Sequence, residues 1–371
     1  MFKKIIFVLI ISFCFLLLPR VEFKVKAENN YSEIVMECNS RRVLYENDAD
    51  KKLPMASTTK ILTALIIIED CDLNAVFQIP KSACGIEGSS IYLKEGEKLK
   101  ISDLLHGLML RSGNDCAVAL ALYHSNSIEN FACVMNERAK KIGAINSNFT
   151  NPHGLHDVEH YTTARDLCKI SCYAMQNPIF KKIVSTQKIA IADSGAGYDR
   201  LLVNKNKFLY NFDGANGVKT GYTKVAGRCL VAGAERNGMQ LVSVVLNCGP
   251  MYERSAEILT KSFSQYSYEK IYDCEEIILS TEVKNKKVCV ETQKDFYYPI
   301  KKDEKHEIKI KYNLPKNVKL PIKKGEVVGE MQIYLKNQLL FSQKIVSIEN
   351  KEKNFIDILR DIAKGGKKTS A

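Results

Sequence analysis

The sequence predicts an α+β domain, in which helices pack on an antiparallel sheet, followed by a small all-β domain. Helical patterns recur between residues 57 and 267. Within that region an Asn237-Gly238 pair joins two apolar runs, which is a strong hairpin signal. From about residue 274 the helical patterns give way to short alternating runs rich in valine and isoleucine. A chain of 371 residues is long enough for two such domains.

The elements of the first domain follow one another with few gaps. Residues 31–47 are predicted to form a hairpin, YSEIVMECN and RRVLYEN joined by a turn. The apolar spacing predicts helices over 57–69, 102–110, 115–124, 127–142, 163–176 and 252–267. Two strands, GRCLVAGAERNG and MQLVSVVLNC, precede the last of these helices. We therefore expect the first domain to span residues 28–270.

The all-β domain, which we expect to be a β-sandwich, spans residues 271–350 in this interpretation. The remaining segment, 351–371, is amphipathic and basic. It places Phe355, Ile358, Leu359 and Ile362 on one helical face. Such a helix can lie in an anionic membrane surface or dock on its own domain, and both alternatives stay open.

The chain begins MFKK and continues IIFVLIISFCFLLLP. A basic start followed by an apolar run of this length is typical of a secretory signal. We therefore predict a signal peptide over residues 1–27. Because Val25-Lys26-Ala27 matches a cleavage site only imperfectly, an uncleaved anchor is the alternative. The protein is therefore expected outside the cytoplasm, in the cell wall or at the outer face of the cytoplasmic membrane.

The net charge is +12. Residues 1–27 contain five Lys or Arg and one Glu, which leaves about +8 for the rest of the chain. A basic exported protein without a nucleic-acid motif favours anionic lipid or cell-wall polymer as its surroundings, and not nucleic acid.

Twelve cysteines are present, one of them within the predicted signal peptide. The remaining eleven are an odd number, so disulfides do not pair them all. Cys116, Cys133 and Cys168 fall in helical apolar patterns, where cysteine behaves as a small hydrophobic residue. We expect most of the cysteines to be reduced and buried.

The stretch PMASTTKILTALIIIED, residues 54–70, places Ser57 three residues before Lys60 at the start of an apolar helix. The simpler interpretation is a helix cap, since serine and threonine often cap N-termini. The alternative is catalytic, because residues three apart share a helix face and a lysine of lowered pKa can take the proton of a serine hydroxyl. Burial, a second cation and the positive end of a helix all lower the pKa of a lysine.

Two further short motifs could complete such a site. Ser112-Gly113-Asn114 lies between two predicted helices and reads as a turn centred on Gly113. Lys219-Thr220-Gly221 lies on a strand leading into the hairpin, where Lys219 would supply the second cation. Gly221 would let another backbone approach closely, and a peptide could pair along the strand edge.

In this order S-x-x-K, S-x-N and K-T-G form the signature of serine penicillin-binding proteins and class A β-lactamases. Longer segments narrow the resemblance. PMASTTK at 54–60, LRSGND at 110–115, FTNPHGL at 149–155, HYTTARDL at 160–167 and GVKTGYT at 217–223 resemble the low-molecular-mass penicillin-binding proteins that are D-alanyl-D-alanine carboxypeptidases, peptidase family S11. The similarity is best over residues 30–268. One departure is Asn216, where the family usually has aspartate, and this puts loop packing and the pKa of Lys219 in question.

The resemblance implies a fold and a function. The fold is the α/β (α+β) transpeptidase fold shared by serine β-lactamases and penicillin-binding proteins, with an antiparallel sheet, a helical subdomain and a small C-terminal all-β domain. The implied activity is removal of the terminal D-alanine from peptidoglycan pentapeptides through an acyl-enzyme, inhibited by β-lactams. No cofactor is expected.

Residue roles follow from the same resemblance. Ser57 is the implied nucleophile and Lys60 its base, while Ser112 relays a proton to the leaving amine. Substrate binding is implied for Asn114, Lys219, Thr220, Gly221, Tyr222 and Arg254. In particular, the backbone N–H groups of Ser57 and Tyr222 would form the oxyanion hole, and Arg254 would help to hold the carboxylate region.

Several alternatives accompany this interpretation. A D,D-endopeptidase or a β-lactamase would use the same nucleophile, and a non-catalytic wall-binding protein would keep only the scaffold. His153, His156 and His160 have a spacing that can bind a metal. Because His153 and His160 belong to segments of the family resemblance, we expect a structural loop there and no metal.

Overall fold

A five-stranded antiparallel sheet forms the centre of the first domain, with strand order β2-β1-β9-β8-β7. The protein is represented by a computed structural model, which describes residues 30–195, 197–274, 279–283, 286–314 and 321–352. The predicted signal peptide and residues 353–371 of the predicted tail lie outside the described residues. The strands of this sheet are β1 (Ser32–Glu37), β2 (Val43–Asn47), β7 (Ala215–Thr223), β8 (Gly227–Arg236) and β9 (Met239–Leu246).

Helices cover both faces of this sheet. They are α1 (Lys60–Asp70), α2 (Ile101–Leu110), α3 (Asn114–Ser125), α4 (Ile128–Ile142), α5 (Ala164–Met175), α6 (Pro178–Ser185), α7 (Phe208–Asn211) and α8 (Met251–Gln265). One apolar core joins the sheet to α1–α6, and a second joins its other face to α8. Every residue of β9 is buried because alternate side chains enter the two cores. This double burial explains why MQLVSVVL is a nearly continuous apolar run.

Helix α1 is the innermost helix, since Lys60 to Ile68 are all buried. Its sequence, KILTALIIIED, is apolar on nearly every side, as expected for a helix surrounded by other elements. A 3₁₀ turn at Ala56–Thr59 leads into it and packs against β7. The beginning of the core helix is thereby fixed beside the edge strand of the sheet.

The all-β region follows α8. Strand β10 (Ser267–Tyr272) pairs with β13 (Phe296–Ile300). A separate five-stranded sheet has the order β11-β12-β16-β15-β14. These strands are β11 (Leu279–Val283), β12 (Lys286–Thr292), β14 (Ile308–Asn313), β15 (Val327–Leu335) and β16 (Gln338–Ser347). The predicted boundary at residue 271 falls inside β10, whose partner strand lies in the C-terminal region.

The predicted hairpins and long helices are confirmed with small shifts at their ends. The sequence prediction omitted two short ribbons, β3–β4 (Val76–Gln78 with Lys98–Lys100) and β5–β6 (Lys188–Ile191 with Arg200–Val203). It also omitted α6 and α7. These strands have three or four residues each, too few to show a period.

Ten cysteines of the described part of the chain are free thiols, and six of them are buried. Cys116 and Cys168 are completely buried, as predicted. The prediction was wrong for Cys133, which is exposed. Helix α4 buries Phe131, Ala132 and Met135, so Cys133 falls on its outer face.

Candidate active site

The candidate nucleophile, Ser57, lies in the 3₁₀ turn that precedes α1. Thr58 Oγ1 donates to Met55 O over 2.6 Å and Thr59 Oγ1 donates to Ala56 O over 2.9 Å, which fixes the turn. No side chain caps the N-terminus of α1. Ser57 Oγ instead lies 3.0 Å from Lys60 Nζ, so the geometry favours the catalytic interpretation of this motif over the helix cap.

Lys60 is completely buried and its amine has three polar neighbours. Nζ lies 3.0 Å from Ser57 Oγ, 2.7 Å from Asn114 Oδ1 and 2.6 Å from the carbonyl oxygen of His153. The last two neighbours only accept hydrogen bonds. A neutral amine has two N–H donors, so these donors go to Asn114 and His153 while the lone pair faces the Ser57 hydroxyl. This arrangement fits the role of base predicted for Lys60.

Electrostatics favour the neutral amine. Burial lowers the pKa of Lys60 well below its usual value, and the nearby Lys219 lowers it further. Burial also lowers the pKa of Lys219 to about 7, and Lys205 contributes to that shift. Two lysines in one water-poor site oppose each other's protonation.

The second motif lies across the cleft from the first. Ser112 has a left-handed backbone, with φ of 63°, so the turn is centred on Ser112 and not on Gly113 as predicted. Asn114 begins α3, and its Nδ2 donates to Glu87 O over 2.5 Å. Since Oδ1 receives Lys60, one N–H of the Asn114 amide is left for a substrate.

The third motif lies on β7, the edge strand of the sheet. Lys219 is buried, and its Nζ donates to Thr220 O over 2.9 Å. A Cβ added to Gly221 would lie 3.0 Å from Ser57 N and 3.1 Å from Met55 O. A Cβ here would crowd the turn that holds the nucleophile, so glycine favours this close approach of the strand. Tyr222, next along the strand, is exposed at the cleft.

Arg254, predicted to help bind a carboxylate, makes its contacts elsewhere. Its Nε donates to Glu33 Oε1 over 2.6 Å, and its Nη2 donates to Glu33 Oε2 over 2.8 Å. Further bonds reach Tyr45 and Glu257. Glu33 is completely buried in β1, so this two-pronged pair joins α8 to the sheet. A substrate role for Arg254 stays a prediction.

Two adjoining cavities form the cleft, and Ser57 lines both. One, of about 440 Å³, is also lined by Ser112, Thr220, Arg228 and Tyr252. The other, of about 420 Å³, is lined by Tyr92, Arg111, Asn114 and Leu155, among others. Lys205 lines both cavities. A larger cavity of about 630 Å³ between α8 and the β8–β9 turn has no lysine in its described lining, so it cannot hold this chemistry.

Sequence reasoning missed several residues that line the cleft, among them Tyr92, Arg111, Lys205 and Arg228. It also missed the carbonyl oxygen of His153, because a backbone contact leaves no side-chain motif. The only available signal for the three cations was the excess of basic residues in the chain.

The histidines have structural contacts. His160 Nδ1 accepts from Thr150 N over 3.0 Å, and Nε2 lies 2.8 Å from Thr59 Oγ1. Burial lowers the pKa of His160 to about 4 and that of His153 to about 3, so both rings are neutral at pH 7. Thr150 uses the lone pair of Nδ1, which leaves Nε2–H as a donor to Thr59.

Asn216 forms an amide pair with Gln240 on β9. Its Nδ2 donates to Gln240 Oε1 over 2.6 Å, and Gln240 Nε2 donates back to Asn216 Oδ1 over 3.2 Å. Gln240 therefore complements an asparagine at this position. The pKa of Lys219 is lowered by burial and by Lys205, without a contribution from Asn216.

This fold and this site define a serine acyl-transfer enzyme. Residues 21–249 match the family described as D-alanyl-D-alanine carboxypeptidase, and residues 266–353 match the C-terminal domain of penicillin-binding protein 5. The chain therefore belongs to the D-alanyl-D-alanine carboxypeptidase family, peptidase family S11. It is a serine-type carboxypeptidase that acts through an acyl-enzyme and binds β-lactams, as the family does.

Individual relatives support this family assignment. The D-alanyl-D-alanine carboxypeptidase DacF of Bacillus subtilis is 30% identical over 89% of this chain and 88% of its own length. The crystal structure of penicillin-binding protein 5 from Haemophilus influenzae has a TM-score of 0.71 at 27% identity, covering 87% of this chain and 97% of that one. The carboxypeptidase DacD of Francisella tularensis has a TM-score of 0.65 at 26% identity, covering 87% and 94%. The matched C-terminal domain also favours a carboxypeptidase over a β-lactamase.

Proposed function

We propose that this enzyme removes the terminal D-alanine from peptidoglycan pentapeptides, with Ser57 as nucleophile and Lys60 as general base. The observation that carries the proposal is the position of Lys60 Nζ, whose two acceptor-only neighbours leave its lone pair for Ser57 Oγ. As Oγ attacks the carbonyl carbon between the two D-alanines, its proton passes to Lys60. The tetrahedral oxygen would be bound by the backbone N–H groups of Ser57 and Tyr222.

Collapse of this intermediate breaks the C–N bond. The leaving amine needs a proton, which Ser112 would relay because it lines the same cavity as Ser57. Asn114 would hold the substrate amide, while Lys219 and Thr220 provide a cation and a hydroxyl on the leaving-group side. Water then attacks the ester on Ser57 and releases the shortened peptide.

We further propose that the enzyme acts outside the cytoplasm and that its C-terminal segment binds anionic membrane. The support is the signal-like start of the chain and the amphipathic, basic pattern of residues 351–371. Among the described residues, no helix combines the length and apolarity that a membrane crossing requires. Sedimentation with vesicles rich in phosphatidylglycerol should retain the full chain and lose a chain ending at residue 352; equal retention would contradict the proposal.

The reaction is tested by D-alanine release from a pentapeptide ending D-Ala-D-Ala. Wild type should release D-alanine, and Ser57→Ala should reduce the rate by roughly 10⁴-fold or more. Ser264→Ala is a matched control, since Ser264 is an exposed serine that lines a different cavity.

A fluorescent penicillin completes the experiment. It should label wild type and Ser264→Ala but not Ser57→Ala. If wild type binds penicillin yet releases no D-alanine, the carboxypeptidase proposal fails, and an endopeptidase acting on cross-linked peptides becomes the better description. Fast turnover of nitrocefin would instead indicate a β-lactamase.

A further inference from the structure

We propose that Thr63 is a positioning residue, which holds the carbonyl of His153 against the amine of Lys60. Thr63 follows Lys60 by three residues in α1, so the two side chains lie on one face of the helix. This role rests on the proposed function, because Thr63 acts on the reaction only through Lys60 as the base. None of the sequence motifs contains Thr63.

Thr63 is a polar exception in an apolar helix. Every residue from Ile61 to Ile68 is buried, and Thr63 is the one among them with a polar side chain. A buried hydroxyl normally forms a hydrogen bond, and a threonine inside a helix often donates to a carbonyl of the preceding turn. Thr63 Oγ1 instead donates over 2.7 Å to Pro152 O, which lies 89 positions further along the chain. The hydroxyl therefore joins α1 to the loop that contains His153.

Two successive carbonyls of this loop accept hydrogen bonds from α1. Pro152 O accepts from Thr63, and His153 O accepts from the amine of the proposed base over 2.6 Å. The N–H groups of the same two peptide units share one acceptor, since His153 N and Gly154 N donate to Asn151 Oδ1 over 3.3 and 2.7 Å. Because a peptide unit is planar, each of the two is held at its C=O by α1 and at its N–H by Asn151.

Removing the Thr63 hydroxyl releases one of these four attachments. The buried oxygen of Pro152 loses its donor, which favours a shift of the loop toward another partner. Such a shift moves His153 O as well, because the two carbonyls belong to adjacent peptide units. Lys60 then keeps Asn114 Oδ1 as an acceptor but not His153 O, and its lone pair is no longer held toward the nucleophile.

The protonation of Lys60 distinguishes this role from a general loss of stability. A carbonyl oxygen stabilises a protonated amine more than a neutral one, because hydrogen bonds from a charged donor are stronger. Losing His153 O therefore lowers the pKa of Lys60 further, beyond the lowering that burial already causes. A residue that only stabilised the fold would leave this pKa unchanged.

The test is the rate constant for acylation of Ser57 by a penicillin, measured across the pH range in wild type, Thr63→Val and Thr63→Ser. Valine keeps the shape of threonine but cannot donate a hydrogen bond. In Thr63→Val the rate constant at the high-pH plateau should fall about 10- to 100-fold, because the base is misaligned. The midpoint of the rise with pH should move to lower pH. Serine keeps the donor, so Thr63→Ser should restore most of the plateau and the wild-type midpoint.

Thr292→Val is the matched control. Thr292 is also a buried threonine whose hydroxyl donates over 2.7 Å, in this case to the hydroxyl of Tyr272 in the C-terminal region. Its loss should lower the melting temperature and leave the plateau and the midpoint in place.

Three results would overturn the role of Thr63. They are a Thr63→Val variant that changes only in melting temperature, a midpoint that stays in place or moves to higher pH, and a Thr63→Ser variant as slow as Thr63→Val. Lys60→Gln tests the proposed function separately. If Lys60→Gln is acylated as fast as wild type, Lys60 is not the base, and the proposed function fails whatever the Thr63 variants do.

Discussion

The chemistry of this enzyme depends on how the surroundings of one amine are arranged. Lys60 is buried beside a second lysine. The two groups that accept hydrogen bonds from its amine, Asn114 Oδ1 and His153 O, belong to α3 and to the loop before α5. Burial sets the larger part of the pKa shift, and the charge of Lys219 adds to it. The pKa of the proposed base is therefore lowered in part by the charge of a residue with which it shares no described hydrogen bond.

This tuning predicts a shifted pH profile for Lys219→Gln. Removing the Lys219 charge removes a repulsion, so the pKa of Lys60 should rise toward its usual value. Because the proposed base can accept a proton only when it is neutral, the rise of the penicillin acylation rate with pH should move to higher pH. The difference should be largest below about pH 7, where Lys219 of wild type is charged. The measurement is the acylation rate constant of Ser57 from pH 5 to 10.

Lys224→Gln is the control for this profile. Lys224 is exposed in the turn after β7 and should leave the profile in place. An unchanged profile in Lys219→Gln, or a shift toward acid, would contradict the coupling between the two lysines.

Gly154 gives a second prediction at the scale of one residue. A Cβ there would lie 1.9 Å from the carbonyl oxygen of Ala56, in the turn that holds Ser57, and φ is +87°. Gly154→Ala should therefore lower the free energy of unfolding by about 3 kcal/mol or more and displace the nucleophile. Urea unfolding and penicillin labelling would measure the two effects.

Gly143→Ala isolates the cause. Gly143 has an equally left-handed backbone, φ +93°, but nothing lies within 4 Å of its added Cβ. Gly143→Ala should lower the free energy of unfolding by only about 1 kcal/mol, which is the cost of placing alanine in a left-handed backbone. Equal losses in the two variants would show that the close approach to Ala56 is unimportant.

At the scale of elements, the first turn of α3 holds the wall of the acyl-side cavity. Asp115 is completely buried, and its carboxylate accepts from Ser90 Oγ over 2.5 Å, Ile91 N over 3.0 Å and Leu93 N over 3.1 Å. The segment 88–92 supplies Ser90 and Tyr92 to the cavity lining. The start of α3 and this wall therefore form one unit, joined by Asp115 and by Asn114, which donates to Ser89 O and Glu87 O.

Asp115→Asn should loosen that unit. An amide nitrogen would face N–H donors, so at least one bond is lost, and the free energy of unfolding should fall by about 1–3 kcal/mol. Acylation by penicillin should slow as the wall moves. Asp103→Asn changes the corresponding first-turn acid of α2 and should cost less than about 1 kcal/mol. An equal cost in both variants, measured by urea unfolding, would contradict the special role of Asp115.

At the scale of the whole molecule, Arg42 joins the catalytic sheet to the C-terminal strands. Its Nη1 donates to Pro299 O and its Nη2 donates to Glu304, both over 2.6 Å. The guanidinium also stacks 5.1 Å from the ring centres of Tyr266 and Tyr298. Through these contacts the Arg42 guanidinium bonds the first domain to the C-terminal region.

Arg42→Gln should therefore uncouple the two regions in part. We expect the free energy of unfolding to fall by about 2–4 kcal/mol, and calorimetry to show a broader transition, because the Glu304 carboxylate loses its partner. Arg41→Gln is the neighbouring control, since within the described part of the chain the Arg41 guanidinium donates a single hydrogen bond, to the carbonyl oxygen of Ile142. Identical thermograms for the two variants would contradict this role.

Much of the fold was predictable because its long elements have clear periods. The run MQLVSVVL indicates a strand buried on both faces, and Asn237-Gly238 indicates a hairpin whose two turn residues do have positive φ, 50° and 76°. The motifs around Ser57, Ser112 and Lys219 were also found. The remaining features of the site depend on long-range packing and leave no local sequence pattern. They are the exposure of Arg228, the Arg254–Glu33 pair and the carbonyl of His153.

The neighbours of Lys60 have one more consequence. Asn114 lies 54 positions from Lys60 along the chain and His153 lies 93 positions from it, so the amine of the proposed base is oriented only after distant segments have docked. A partly folded chain contains Ser57 but lacks the oriented amine that would activate it. Covalent labelling of Ser57 by a fluorescent penicillin would then count native molecules, and its time course during refolding would report the last assembly step of the catalytic domain.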